Sequence, residues 1–222
     1  MAPAKNEDLH GYVPDTAAVA LLLIDVINDL EFDVGKDLLE HALPVARRLA
    51  EFKRRAKEAR IPVIYVNDNF GRWQSDFQKL LQHCLDETVC GHSLAELLKP
   101  EEDDYFVLKP KHSGFFSTTL DILLDYLQVK TLVITGLTGD ICVLFTASDA
   151  YMRDFNLLIP EDCVASADPQ ENEHALEHMR RVLKADTRPS TEIDFKELER
   201  RAEQEPSEPN PNPQSRQFAE GH

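Results

Sequence analysis

Short unbroken apolar runs alternate along this chain with longer stretches in which apolar residues recur every three or four positions. Ala17 to Ile24 is the first run, and it stops at Asp25. A run of this length with no polar interruption reads as a strand buried on both faces. Leu38, Leu39, Ala42, Val45, Ala46, Leu49, Phe52, Ala56 and Ala59 follow at helical spacing and predict a long amphipathic helix with Lys and Arg on its outer face. Val63 to Val66 is a second strand leading into Asn67, Asp68 and Asn69. Residues 70–100 show weak periodicity and suggest an excursion over the sheet end, with one short helix at Ser93 to Leu98. Tyr105 to Leu108 is a third strand, ending at Lys109. Ser117 is placed to cap a helix with Leu120, Leu123, Leu124 and Leu127 on its apolar face.

Leu132 to Ile134 is the fourth strand. It turns through Gly136 to Gly139 into a helix that presents Val143, Thr146, Ala147 and Ala150 on one face. Asn156 to Ile159 is a fifth strand, Glu173 to Leu183 a helix, Ala185 to Arg188 a short last strand, and Phe195 to Ala202 a final helix. Strands alternating with helices predict a parallel sheet covered on both faces. The expected layout is a loose arm over residues 1–15, one domain over 16–203 and a disordered acidic, Pro-rich tail over 204–222.

The length of 222 residues suits a single domain with a sizeable core. A net charge of −16 argues against nucleic acid or an anionic membrane as partner, because both want a basic patch. No apolar run approaches the roughly 20 residues of a membrane helix, and the first fifteen residues lack a signal-peptide core, so the expected location is cytoplasmic. There the four cysteines would be free thiols.

In a doubly wound sheet, ligands bind beyond the carboxyl ends of the strands. Asp25, Asn67 to Asn69, Lys109 and Cys142 all follow strand ends, which gathers a carboxylate, a cation and a thiol on one rim. Cys142 falls in the first turn of its helix. The free N–H groups there predict a thiol pKa lowered from about 8.5, and hence a nucleophile. A small buried cysteine packing a strand–helix junction is the alternative reading. His83, Cys84, Cys90 and His92 match no common zinc spacing, so no metal site is expected.

Three blocks in order, ALLLIDVINDLEF, VLKPKHSGFFSTTLD and LVITGLTGDICVLFTASDAYMRDFNLLIPEDCVAS, resemble the isochorismatase-like, or cysteine hydrolase, superfamily over roughly Val19 to Arg188. That superfamily includes nicotinamidases and N-carbamoylsarcosine amidase. The resemblance implies a three-layer α/β/α sandwich around a mostly parallel six-stranded sheet of order 3-2-1-4-5-6. It implies catalytic roles for Asp25, Lys109 and Cys142, an oxyanion hole from the backbone of Thr138 and Cys142, and a cis peptide at Leu137–Thr138. It also implies a homo-oligomer, dimer or tetramer, acting on a small-molecule substrate without cofactor.

Where nicotinamidases carry a metal-binding Asp-x-His, this chain has Asp68-Asn69-Phe70, so a metal-independent amidohydrolase is expected. Ile27 replaces a common Gln, and Thr138-Gly139-Asp140 replaces a common Ala-Thr-Asp. Asn69, Trp73 and Phe115 are the expected substrate contacts. The alternatives are isochorismatase-type vinyl-ether hydrolysis and a catalytically silent oligomeric binding protein.

Overall fold

The computed structural model describes residues 16–70 and 77–204. The expected arm, most of the expected tail and Trp73 lie outside the described residues.

In chain order the elements are β1 (Val19–Ile24), α1 (Gly35–Glu58), β2 (Val63–Asp68), α2 (Phe77–Cys84), α3 (His92–Leu97), β3 (Tyr105–Lys109), α4 (Leu120–Leu127) and β4 (Thr131–Leu137). A π-helical turn, Gly139–Val143, then leads into α5 (Leu144–Tyr151). β5 (Asn156–Leu158), β6 (Val164–Ala165), α6 (Pro169–Val182) and α7 (Phe195–Gln204) complete the domain.

Every strand pairing among the described residues is parallel, and the order is β3-β2-β1-β4-β5, with β6 also on β4. β1 lies at the centre and is buried along its whole length. Its side chains alternate between two cores. Val19, Leu21 and Leu23 meet α1, α2, α3 and α7, while Ala20, Leu22 and Ile24 meet α4, α5 and α6. That division makes the three layers. Each fully buried Leu or Ile contributes roughly 1.5–3 kcal/mol, so an apolar run this dense can only be a central strand.

The expected strand order holds as far as β5 and is corrected at the sixth position. Ala185 to Arg188 makes a single parallel bridge, Leu158 to Asp186, outside β5. The sixth strand is instead Val164–Ala165. Because β5 covers only Thr131 to Val133 of β4, the far half of that edge is left for β6, which pairs with Gly136 and Leu137.

Other expectations change in detail. α2 arises in the stretch of weak periodicity, where Phe77 stacks on Phe106 of β3 with ring centroids 4.8 Å apart. Lys53 does not sit on a solvated face of α1. It is 5% exposed, and its ammonium lies 2.6 Å from the buried Asp104 carboxylate and 3.2 Å from Glu101. Ser117 does not cap α4, because it adopts a left-handed φ of 54°. Thr118 Oγ1 instead accepts the Leu120 N–H at 3.2 Å. α6 begins earlier than expected, since Asp168 caps it by accepting the Gln170 N–H at 2.8 Å and Pro169 occupies the first turn, where its missing donor costs nothing.

Candidate active site

Four strands, β3, β2, β1 and β4, end side by side at the rim. β1 gives way to Asp25, whose left-handed φ of 50° turns the chain out of the sheet while its N–H donates to the Val66 carbonyl at 2.9 Å. Asp is among the residues that tolerate this region. β2 and β3 pair Asp68 with Lys109. β4 passes close beside β1 at Gly136, which has φ +113°; a Cβ there would lie 2.2 Å from the Ile24 carbonyl oxygen. Glycine is therefore required for the nucleophile strand to run against the residue that precedes Asp25.

The expected trio meets at this rim. Lys109 Nζ lies 2.7 Å from Asp25 Oδ2 and 3.5 Å from Cys142 Sγ. Cys142 and the Asp25 carboxylate lie close enough for each to shift the other's titration. Lys109 is 0% exposed and Asp25 6% exposed, while Cys142 retains partial access to solvent. Asp25 Oδ1 accepts the Asp68 N–H at 2.7 Å, and Asp68 Oδ2 stands 3.8 Å from Lys109 Nζ. A buried ammonium is thus shared by two carboxylates, with a thiol against it.

Burial pushes the Asp25 carboxyl above its usual range, against the pull of Lys109. Burial, the largest single effect, would lower Lys109, but Asp25, Cys142 and Asp68 together outweigh it and the ammonium is held more firmly than usual. Cys142 corrects the sequence expectation. Its thiol is pushed up to about 12, first by burial and then by the Asp25 charge, with Lys109 opposing. The helix N-terminus does not win here, because desolvation of the sulfur and a facing carboxylate are larger effects than a partial charge of about one half. Cys142 is therefore a protonated thiol beside the Asp25 carboxylate.

Cys142 sits in the π-helical turn rather than in the first turn of α5. The Leu137–Thr138 peptide before it is cis. The Thr138 carbonyl accepts N–H groups from Ile141 and Val143, at 3.2 and 3.0 Å, which curls the turn around the sulfur. Asn69 is buried beside this rim, its N–H donating to the Lys109 carbonyl at 3.0 Å. Phe115 is 5% exposed and is occupied by core packing: its ring meets Phe155, with centroids 6.1 Å apart, and Arg153 lies 4.7 Å above it. Its neighbour Phe116 is the open ring, at 55% exposure.

The metal site that the resemblance associates with nicotinamidases does not fit these residues. Asp68 Oδ1 accepts the Phe70 N–H at 2.6 Å, its other oxygen faces Lys109, and Phe70 offers no ligand atom. His83 pairs with Asp29 at 3.1 Å, and the His92 ring bonds the Leu85 carbonyl. Among the described residues, no group of three or more His, Cys, Asp or Glu is placed to hold a metal ion.

Residues 19–188 match the family model described as the Isochorismatase domain. The chain belongs to the isochorismatase family. An uncharacterised isochorismatase family protein, YaaI, of Bacillus subtilis (strain 168) is 43% identical over 167 residues, covering 75% of this chain and 91% of that protein. A ureidoacrylate amidohydrolase, RutB, of Methylobacterium radiotolerans is 28% identical over 195 residues, covering 76% of this chain and 74% of that one. Among solved structures, N-carbamoylsarcosine amidase of Thermoplasma acidophilum is 27% identical with a TM-score of 0.60, covering 79% of this chain and 98% of its own. Named members of the isochorismatase family are thus hydrolases. No helix among the described residues of this isochorismatase-family chain is long and apolar enough to cross a membrane.

Two supporting roles escaped the sequence. Asp68 is visible in the sequence at a strand end and in the incomplete metal motif, but not as the residue whose main chain orients Asp25. Ser166 holds the nucleophile turn from the α6 side, its hydroxyl donating to Asp140 Oδ1 at 2.7 Å and accepting the Asp140 N–H at 3.2 Å. Neither carries a sequence signal, since each works through a partner far along the isochorismatase-family chain.

Proposed function

We propose that this protein is a cysteine hydrolase that cleaves a C–N bond of a small carboxamide or carbamoyl compound through a thioester on Cys142. The contact of Lys109 Nζ with both Asp25 Oδ2 (2.7 Å) and Cys142 Sγ (3.5 Å) carries the reading. The amidohydrolase and amidase names of the two relatives support it, since both describe action on such bonds.

Asp25 takes the thiol proton as the sulfur forms a C–S bond with the carbonyl carbon. Lys109 stays protonated and offsets the negative charge that Asp25 and the sulfur carry in turn. The backbone N–H groups of Thr138 and Cys142 are assigned to the oxyanion, a contribution of about 3 kcal/mol per donor in other enzymes. As the intermediate collapses the C–N bond breaks, and Asp25 delivers its proton to the departing nitrogen. Water then attacks the thioester, giving its proton to Asp25, and the C–S bond breaks. That proton returns to sulfur. A thiol pKa of about 12 keeps sulfur protonated until a substrate arrives, so the base is needed on every turnover.

No step uses a metal, in keeping with Phe70 where a ligating histidine would stand. Asn69, buried beside the rim, is assigned to the substrate wall. A panel of small amides and ureides assayed for ammonia release, with Cys142→Ser as control, tests the proposal. Release that the serine variant abolishes, together with a mass adduct on Cys142, is expected. Turnover that survives Cys142→Ser, or cleavage of a vinyl ether with no ammonia from any amide, would overturn it.

A further inference from the structure

Thr146 lies inside α5 with its side chain buried. Its hydroxyl donates to the Cys142 carbonyl at 2.7 Å, a common use of a helical threonine, and accepts the Gly114 N–H at 3.0 Å. The second bond is not local, because Gly114 belongs to the loop that follows Lys109. One oxygen therefore joins the backbone of the Lys109 loop to the backbone of Cys142 itself. The loop comes this close because position 114 has no side chain. A Cβ there would stand 2.9 Å from Val66 Cγ1, 3.2 Å from Leu120 Cδ2 and 3.4 Å from Thr146 Cγ2.

A second tie runs beside the first. The Ser113 hydroxyl donates to the Asp149 carboxylate, one turn further along α5, and accepts the Phe115 N–H at 3.1 Å. Arg153 lies 3.3 Å from Asp149 on its other side. This tie fixes the loop to the helix without touching the nucleophile residue. Thr146 bonds both Cys142 and the Lys109 loop.

We propose that Thr146 is a positioning residue of the hydrolytic site, holding Cys142 against Lys109 and Asp25 through its two backbone bonds. The inference rests on the cysteine-hydrolase reading. Its physical basis is the Lys109–Cys142 contact: Nζ stands 3.5 Å from Sγ, and the thiol must also reach Asp25 to lose its proton. A small drift between the Lys109 loop and the turn would separate the groups.

Thr146→Val keeps the volume and removes the hydroxyl, leaving the buried Gly114 N–H unpaired. Turnover should fall by about tenfold to a hundredfold with KM changed less than about twofold, since placement rather than affinity is lost. The pH profile of Cys142 carboxamidomethylation should shift as well. Thr146→Ser retains the hydroxyl and should recover turnover to within about threefold of wild type. If Thr146→Val fails to fold, Thr146→Ala, which places no methyl against Gly114, is read by the same two measurements.

A lower melting temperature with wild-type kcat and an unchanged alkylation profile would overturn the proposal and leave the hydrolase reading standing. Activity that survives Cys142→Ser would overturn the hydrolase reading instead. The alkylation profile of the Thr146 variants needs no substrate, so the positioning role is still decided in that case.

Discussion

The main-chain N–H of Asp68 donates to Oδ1 of Asp25 at 2.7 Å, so the carboxylate that meets Lys109 through its other oxygen is held in one orientation. Each oxygen of Asp25 has its own partner: an amide that cannot titrate and an ammonium that its anionic neighbours hold charged against the pull of burial. The thiol approaches a base that is already aimed.

Replacing Asp25 with Asn should separate acidity from catalysis. The amide oxygen can still accept from Asp68, but nothing remains to take the thiol proton. Turnover is expected to fall by about 10²–10⁴. The Cys142 thiol pKa is expected to drop from about 12, because the carboxylate that raises it is gone while Lys109 remains. Thiolate absorbance followed against pH checks this, and a thiol pKa that rises in the variant would contradict the geometry.

Lys109→Met should cost stability in a pH-dependent way. Removing the ammonium leaves a buried carboxylate unpaired, a change worth about 3–5 kcal/mol. Asp25, already raised by burial, rises further once Lys109 no longer pulls it down. A carboxyl with a raised folded pKa binds its proton more tightly folded than unfolded. The penalty is therefore full above the folded pKa and vanishes below the unfolded value of about 4. Denaturation midpoints of variant and wild type should converge as pH falls toward that value; a constant gap would argue against the ion pair.

Access to solvent, rather than thiol acidity, should distinguish the cysteines. Burial pushes Cys84, Cys142 and Cys163 alike to about 12, yet Cys142 alone of the three is partly open to solvent. Iodoacetamide at pH 8 should modify Cys142 and the half-exposed Cys90 well before Cys84 and Cys163, as peptide mapping would report. Equal rates for Cys142 and Cys163 would remove the nucleophile assignment.

Gly136→Ala should destabilise the fold by more than about 2 kcal/mol, since the position combines a positive φ with a Cβ 2.2 Å from the Ile24 carbonyl. Chemical denaturation measures it. A near-neutral result would mean that β4 can shift away from β1 without loss.

Much of this architecture could be read along the chain because its central strands are buried on both faces. β1 needs every residue from Val19 to Ile24 to be apolar, and such a run is visible without knowing its neighbours. α1, α4 and α6 each lay one face on the sheet, which leaves a helical repeat in the sequence. α2 carries the same repeat, Phe77, Leu80, Leu81 and Cys84, but over only eight residues, too short a run to stand out from the surrounding loop. β6 is two residues long and exists only because β5 leaves part of β4 uncovered.

By itself the sequence determined the layers, the central strand and the four strand ends at which chemistry-bearing residues stand, since those follow from local periodicity and chain order. Only the tertiary structure decided what these residues are like when they meet. Lys53, which local pattern places in solvent, is buried because Asp104 comes from a distant loop to neutralise it. Cys142, which a helix terminus alone would acidify, stays protonated because Asp25 and the surrounding core act on it at contact distance. Electrostatic energy depends on separation and local dielectric, and neither is written in the order of residues along a chain.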